Sequence, residues 1–104
     1  MTAHLLSEPA ITDSQTIEQS IARDLALLPD VRHILVERAD GIVNVVVALD
    51  HPSKQVRESV FEKEFALMDE FSETSFDFNL IPAHGRTPED LASHARLIYS
   101  RKAA

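Results

Sequence analysis

Two short stretches of this sequence carry side chains that could hold a small anion. Each stretch follows a run of β-branched and aromatic residues, and each ends at a Ser or Thr where a helix is predicted to begin. Helix N-termini present unpaired backbone N–H groups with partial positive charge, which together with cationic side chains suit an anion. The sequence therefore predicts anion binding by His51, Ser53, Lys54, His84, Gly85, Arg86 and Thr87.

A divalent metal is the second ligand class that these stretches allow. Imidazole and carboxylate groups are ligands for zinc and related ions, so Asp50, His51 and His84 form a candidate metal set. No pair of residues in the chain has the spacing of a recognised zinc motif. A further interpretation is structural, with two ordinary capped loops and solvated His and Arg side chains.

Catalysis has weaker support in the sequence. The chain contains no cysteine, which excludes a thiol nucleophile, a thiolate metal site and a disulfide scaffold. Its serines lie at predicted helix caps and polar breaks, and there is no phosphate loop or dinucleotide fingerprint. We therefore predict no catalytic residues and no cofactor.

Composition limits the partners of the protein. The chain has 104 residues, with 10 Lys and Arg against 17 Asp and Glu, for a formal net charge of −7. This charge opposes binding to nucleic acid, although residues 84–102 carry four basic and two acidic side chains.

No run approaches the roughly 20 apolar residues that span a bilayer, and the N-terminal residues do not resemble a secretory signal. We expect a cytoplasmic protein with no nucleic acid or membrane partner, and a single domain over residues 1–104. Residues 1–11 are expected to form a flexible arm or a short edge strand.

The first half of the chain predicts a helix and a hairpin. Thr12, Asp13 and Ser14 are helix-capping residues, and Ile17, Ile21, Leu25 and Leu28 then recur at helical spacing before Pro29. Strands are predicted over 31–38 and 42–49. Asp40 and Gly41 between them form a hairpin signal, because such a turn needs positive φ.

The second half predicts two helices and a strand between them. Ser53 caps a helix from Lys54 to about Phe71, with an apolar stripe that includes Phe61, Leu67 and Met68, and with Phe65 beside it. A strand over 75–81 alternates apolar and polar residues, with Asp77 and Asn79 pointing outward. Thr87, Pro88, Glu89 and Asp90 predict the start of a last helix, which is expected to reach Lys102.

The order of these elements defines the predicted fold class. It is α+β, with the order α-β-β-α-β-α and a three-stranded mixed sheet in a two-layer ferredoxin-like sandwich of the split βαβ type. The helix over 54–71 makes a crossover between strands two and three, which must then be parallel. Their C-terminal ends lie at one edge of the sheet, so the two ligand-binding stretches are expected to be neighbours, as ligand sites in open α/β sheets often are.

Part of the chain resembles a known family. The run Leu28-Pro29-Asp30-Val31, the hairpin, the run Asp50-His51-Pro52-Ser53 and the Pro82 that ends the third strand resemble the cytoplasmic C-terminal domain of cation diffusion facilitator transporters. The resemblance covers residues 17–82 and is one of element order and spacing. It implies metal ligands just before the terminal proline of the third strand. Those positions hold Asn79 and Ile81 here, so the metal ligands of the family are not retained.

The second strand suggests how the protein functions. Val43, Val45, Val47 and Leu49 form one face of the strand, and the other face, with Ile42, Val46 and Ala48, is also largely apolar. One chain of this size has a modest core, so the second face needs the C-terminal helix or another subunit as a cover. We predict a non-catalytic module that acts by association, as a homodimer or as the partner of a larger protein. The alternative is a domain that senses a small anion or a divalent metal.

Overall fold

The computed structural model describes residues 16–92 and 94–101. The predictions for residues 1–11 and for the capping residues Thr12, Asp13 and Ser14 concern positions outside that range. Residues 16–25 are helical and are called α1. The remaining elements are β1 (Val31–Ala39), β2 (Ile42–Leu49), α2 (Lys54–Glu70), β3 (Ser75–Pro82), α3 (Pro88–Leu91) and β4 (Arg96–Ser100).

The β1–β2 hairpin is confirmed. Ala39 pairs with Ile42, and the two residues between them have φ angles of 56° for Asp40 and 76° for Gly41. Positive φ at both central positions is the pattern of a type I′ turn, whose twist matches that of the flanking strands. The local preference of Asp-Gly therefore fixes this connection.

The fold is α+β, as predicted, but the sheet has four strands instead of three. Its order is β3-β2-β1-β4, with β1 antiparallel to both neighbours and β2 parallel to β3. The parallel pair confirms the crossover through α2. The additional strand departs from the predicted ferredoxin-like order of α-β-β-α-β-α.

The predicted last helix is wrong beyond its first turn. Thr87 and Asp90 form the expected capping box, but α3 ends at Leu91 and residues 96–100 form β4. Leu97 pairs with Leu35 of β1, and Tyr99 pairs with Ile34. β1 is buried in its central part, so the N–H and C=O groups on its second edge need partners, and β4 supplies them. Helical spacing of apolar residues over 91–98 could not reveal that requirement.

The hydrophobic core lies between the sheet and the two longer helices. Its fully buried members include Ile21 and Leu25 of α1, Val45 and Val47 of β2 and Val60 of α2. This side of the sheet corresponds to the apolar face predicted for the second strand.

The opposite face of the sheet is partly covered by the chain itself. β3 and β4 lie at opposite edges of the sheet, so the chain crosses a face between them. Pro88, Glu89 and Ala92 surround a small cleft of about 70 Å³ over Leu35, which is 1% exposed. The β3–β4 connection therefore covers part of the face for which the sequence required a cover.

Candidate functional site

The two predicted ligand-binding stretches are neighbours, as the parallel strands require. Leu49 at the end of β2 pairs with Pro82 at the end of β3, and the Ala83 N–H donates to the Leu49 carbonyl at 2.8 Å. Asp50 therefore follows β2 at the same edge where residues 83–86 follow β3.

A tight turn places Arg86 at this edge. His84 and Gly85 have φ angles of 51° and 72°, and the Arg86 N–H donates to the Ala83 carbonyl at 2.8 Å, which makes a type I′ turn. The Arg86 side chain folds back over the turn. Its Nη2 donates to the Pro82 carbonyl at 2.7 Å, and its Nε donates to the Ala83 carbonyl at 3.4 Å.

Asp50 accepts hydrogen bonds from two arginines, one in β1 and one directly after β4. Arg32 Nε donates to Oδ1 at 2.9 Å, and Arg101 Nη2 donates to Oδ2 at 2.7 Å. The hydrogen bond from Arg32, with that from Arg101 and the charges of both arginines, lowers the pKa of Asp50 below its ordinary range despite partial burial. Asp50 is therefore a carboxylate that orients two guanidinium groups.

These groups line one cleft of about 390 Å³, in the size range of small-ligand pockets. His33 lines it too, and this side chain is 9% exposed with its Nδ1 2.8 Å from the Ser100 hydroxyl. The residues of the cleft used below are Arg32, His33, Asp50, Gly85, Arg86 and Arg101. We call this set the arginine cleft.

The sequence identified part of this cleft and missed the rest. The sequence predicts Asp50, Gly85 and Arg86 at this edge, but it does not predict Arg32 or Arg101 there. The last helix, expected to reach Lys102, would include Arg101. Placing β4 beside β1 would have found both residues, because the Arg101 N–H donates to the Arg32 carbonyl at 2.8 Å.

Five other predicted residues are exposed and do not line the arginine cleft: His51, Ser53, Lys54, His84 and Thr87. The hydroxyl groups of Ser53 and Thr87 accept hydrogen bonds from the backbone of α2 and α3, at 3.2 Å and 3.3 Å. They act as helix caps, in line with the structural interpretation of these two positions.

The metal set gains no support from the geometry. Within residues 16–92 and 94–101, no group of three or more His, Asp or Glu side chains is placed to hold a metal ion. Both Asp50 oxygens accept hydrogen bonds from arginines instead. The set of Asp50, His51 and His84 stays a prediction.

A second surface of interest lies at the β3 edge. Among the described strands β3 pairs only with β2, and its apolar side chains Phe76, Phe78 and Leu80 are only half-buried against the core. An edge strand presents a row of unpaired N–H and C=O groups that can pair with another chain. Within residues 16–92 and 94–101, this edge is therefore open both to hydrogen bonding and to further apolar packing.

Helix α2 presents an apolar stripe beside this edge. Phe61, Phe65 and Met68 are 44%, 64% and 38% exposed. At about 100° per residue they lie roughly 140–180° around the helix from Glu70, and Glu70 reaches Arg23 of α1 at 3.7 Å. The stripe is therefore on the flank away from α1, on the side of the outermost strand, β3. We call β3 and these three side chains the β3 edge surface.

The buried face of α2 contains a carboxyl oxygen that has no hydrogen-bond partner in the described part of the chain. Val60, Glu64 and Leu67 are its buried residues, and Glu64 is 4% exposed. Its Oε2 has no hydrogen-bond partner among the described residues, and burial raises the pKa of Glu64 to about 7. The apolar stripe predicted from the sequence placed Phe61 and Met68 on the core side of α2, but both are exposed. The helix is therefore rotated about its axis from that expectation.

No protein-family model matches this chain, and a search of curated proteins finds no relative. The resemblance to cation diffusion facilitator domains therefore stays a prediction. None of the helices in the described part of the chain is long and apolar enough to cross a bilayer.

Proposed function

We propose that this protein is an association module that forms a homodimer through the β3 edge surface. The observation that carries the proposal is a combination at one edge of the sheet: an eight-residue strand with no described neighbour on its outer side, and an exposed apolar stripe on the adjoining helix. We retain the cytoplasmic location expected from the sequence as part of this proposal. The other edge strand, β4, has five residues and ends beside the Arg101 ion pair, so it is less suited to pairing.

The sequence of β3 favours a second copy of the same chain as the partner. In an antiparallel pair centred on Phe78, each Asp77 lies opposite Asn79 of the second copy, and each Phe76 lies opposite Leu80 of the second copy. Side chains opposite each other have Cβ atoms about 4.5–5.5 Å apart, so an amide can donate to the carboxylate there. Because the dimer has two-fold symmetry, each of these contacts occurs twice. A register centred on Asp77 would instead oppose two carboxylates.

The apolar stripe contributes the burial that strand pairing alone lacks. A two-fold axis at β3 brings the outer flanks of two α2 helices to the same side of the joined sheet. Phe61, Phe65 and Met68 of each copy can then pack together and extend the half-covered apolar layer of β3. Burying such side chains is favourable by about 25 cal/mol for each Å² removed from water.

The first experiment measures mass in solution by light scattering during size-exclusion chromatography, over a range of protein concentrations. We expect a dimer of twice 11.6 kDa. Phe65→Glu should shift it to monomer, because it places like charges near the two-fold axis. Leu27→Glu is the matched control, since Leu27 is an equally exposed apolar residue, at 68%, in the turn after α1. A wild-type monomer at all concentrations, or equal effects of both variants, overturns the proposal.

The second experiment tests the register. Asn79→Asp places carboxylates opposite each other and should weaken the dimer. The double variant Asp77→Asn with Asn79→Asp restores an amide opposite each carboxylate in the register centred on Phe78, and should restore the dimer. Failure of the double variant to recover excludes this register. Thermal unfolding of each variant separates lost association from lost folding.

A further inference from the structure

The arginine cleft concentrates positive charge in an acidic protein. Three guanidinium groups and one carboxylate line it, whereas the whole chain carries a formal charge of −7. Charge of one sign gathered in a cleft focuses the local field and raises the concentration of the opposite ion. A small anion is the ligand that such a field attracts.

Two of the guanidinium groups are fixed before any ligand arrives. Asp50 accepts from both Arg32 and Arg101, and Arg32 Nη1 also donates to the Arg101 carbonyl at 3.0 Å. The backbone pair between Arg101 N–H and Arg32 C=O ties the two chain segments together. Ordering long side chains in advance lowers the entropic cost of binding.

Arg86 is the third group and comes from the opposite side of the cleft. Its hydrogen bonds to the Pro82 and Ala83 carbonyls hold it without a carboxylate partner in the described part of the chain. A guanidinium has five N–H donors, so each of the three arginines keeps donors beyond the bonds described. Gly85 at φ 72° allows the turn that brings Arg86 there.

We propose that the arginine cleft binds a phosphate group, either as the free ion or as a phosphate monoester of a small molecule. Arginine forks match the paired oxygens of phosphate, and a phosphate offers three such oxygens on one atom to the three arginines, whereas a dicarboxylate divides its charge between two separate groups. His33 is buried and lines the same cleft, where its Nδ1 shares a hydrogen bond with the Ser100 hydroxyl. Asp50 has a positioning role, because it faces its two arginines.

The test is a calorimetric titration with inorganic phosphate at low ionic strength, followed by titrations with glycerol 3-phosphate and malonate. We expect saturable binding of phosphate, and weaker binding of malonate. Tighter binding of glycerol 3-phosphate would assign the cleft to an ester, and equal binding would assign it to the free ion. No saturable binding of either phosphate compound, or equal binding of malonate, overturns the proposal.

Matched arginine variants locate the site. Arg86→Gln should weaken phosphate binding about tenfold or more, since a hydrogen bond to a charged group is lost. It leaves the Asp50 ion pairs in place but removes the bonds to the Pro82 and Ala83 carbonyls, so thermal unfolding of the variant must show that the fold is retained. Arg57→Gln makes the same change of net charge at an exposed position on α2 and should leave binding unchanged. Equal losses for the two variants would show a general charge effect and contradict a site in this cleft.

Discussion

The buried carboxyl group of Glu64 gives stability a specific pH dependence. Burial raises its pKa from an ordinary 4.5 to about 7 in the folded protein. Between these values the unfolded chain loses its proton and the folded chain keeps it, so stability falls as pH rises through the window. The difference of about 2.5 pH units corresponds to about 3 kcal/mol, since one unit is about 1.4 kcal/mol. Below the window, and again above it, the contribution no longer changes with pH.

Glu64→Gln removes the titration and keeps the shape of the side chain. We expect the variant to match the wild type in stability near pH 4, and to exceed it by up to about 3 kcal/mol near pH 8, because only the wild type must then bury a charge. Urea unfolding of both proteins across this range gives the difference, in which the other titrating groups cancel. Glu62→Gln, at an exposed position on the same helix, is the control. A difference between Glu64→Gln and wild type that stays constant over the range would refute this account of the buried carboxyl.

Three further changes test local features of the fold. Asp50→Asn weakens the ion pairs with Arg32 and Arg101 and should cost about 1–2 kcal/mol in urea unfolding at neutral pH. Since the folded pKa of Asp50 is lowered, its contribution is lost as pH falls below about 4, and the variant and wild type should converge there. Gly41→Ala meets no atom within 4 Å but must adopt a φ of 76°, so thermal unfolding should show a loss of about 1 kcal/mol without a change of fold. Ser53→Ala removes the N-cap of α2 and should lower the unfolding free energy by about 1 kcal/mol, while Ser53→Asp should retain it.

Local features of the structure were predictable because short segments specify them. Asp40 and Gly41 accept positive φ, so the hairpin could be identified from two residues and their β-rich flanks. Ser53 and Thr87 were identified as caps for a similar reason, because a short side chain reaches its own backbone three residues along. The shared edge of Asp50 and Gly85 followed from one additional rule, that a single crossover joins parallel strands.

Features that depend on partners distant in the sequence were not predictable. The spacing of the apolar residues in α2 predicts a helix, but the rotation of that helix about its axis depends on where α1 and β3 lie. The observed rotation buries Glu64 and exposes Phe65. The segment over 96–100 has apolar residues that fit a helix or a strand. It forms a strand because the second edge of β1 requires hydrogen-bond partners.

The sequence by itself determined the hairpin, the helix caps, the parallel crossover and therefore one edge where Asp50, Gly85 and Arg86 meet. Each of these depends on backbone preferences or chain connectivity within a few tens of residues. Only the tertiary structure decided that Arg32 and Arg101, which are 69 residues apart, hold the two oxygens of Asp50. It also decided that the fourth strand pairs with β1, which leaves β3 at an edge of the sheet. The ion pairs and the position of β3 both follow from the docking of β4 on β1, a long-range pairing that satisfies the hydrogen bonds of a buried strand and that no local pattern encodes.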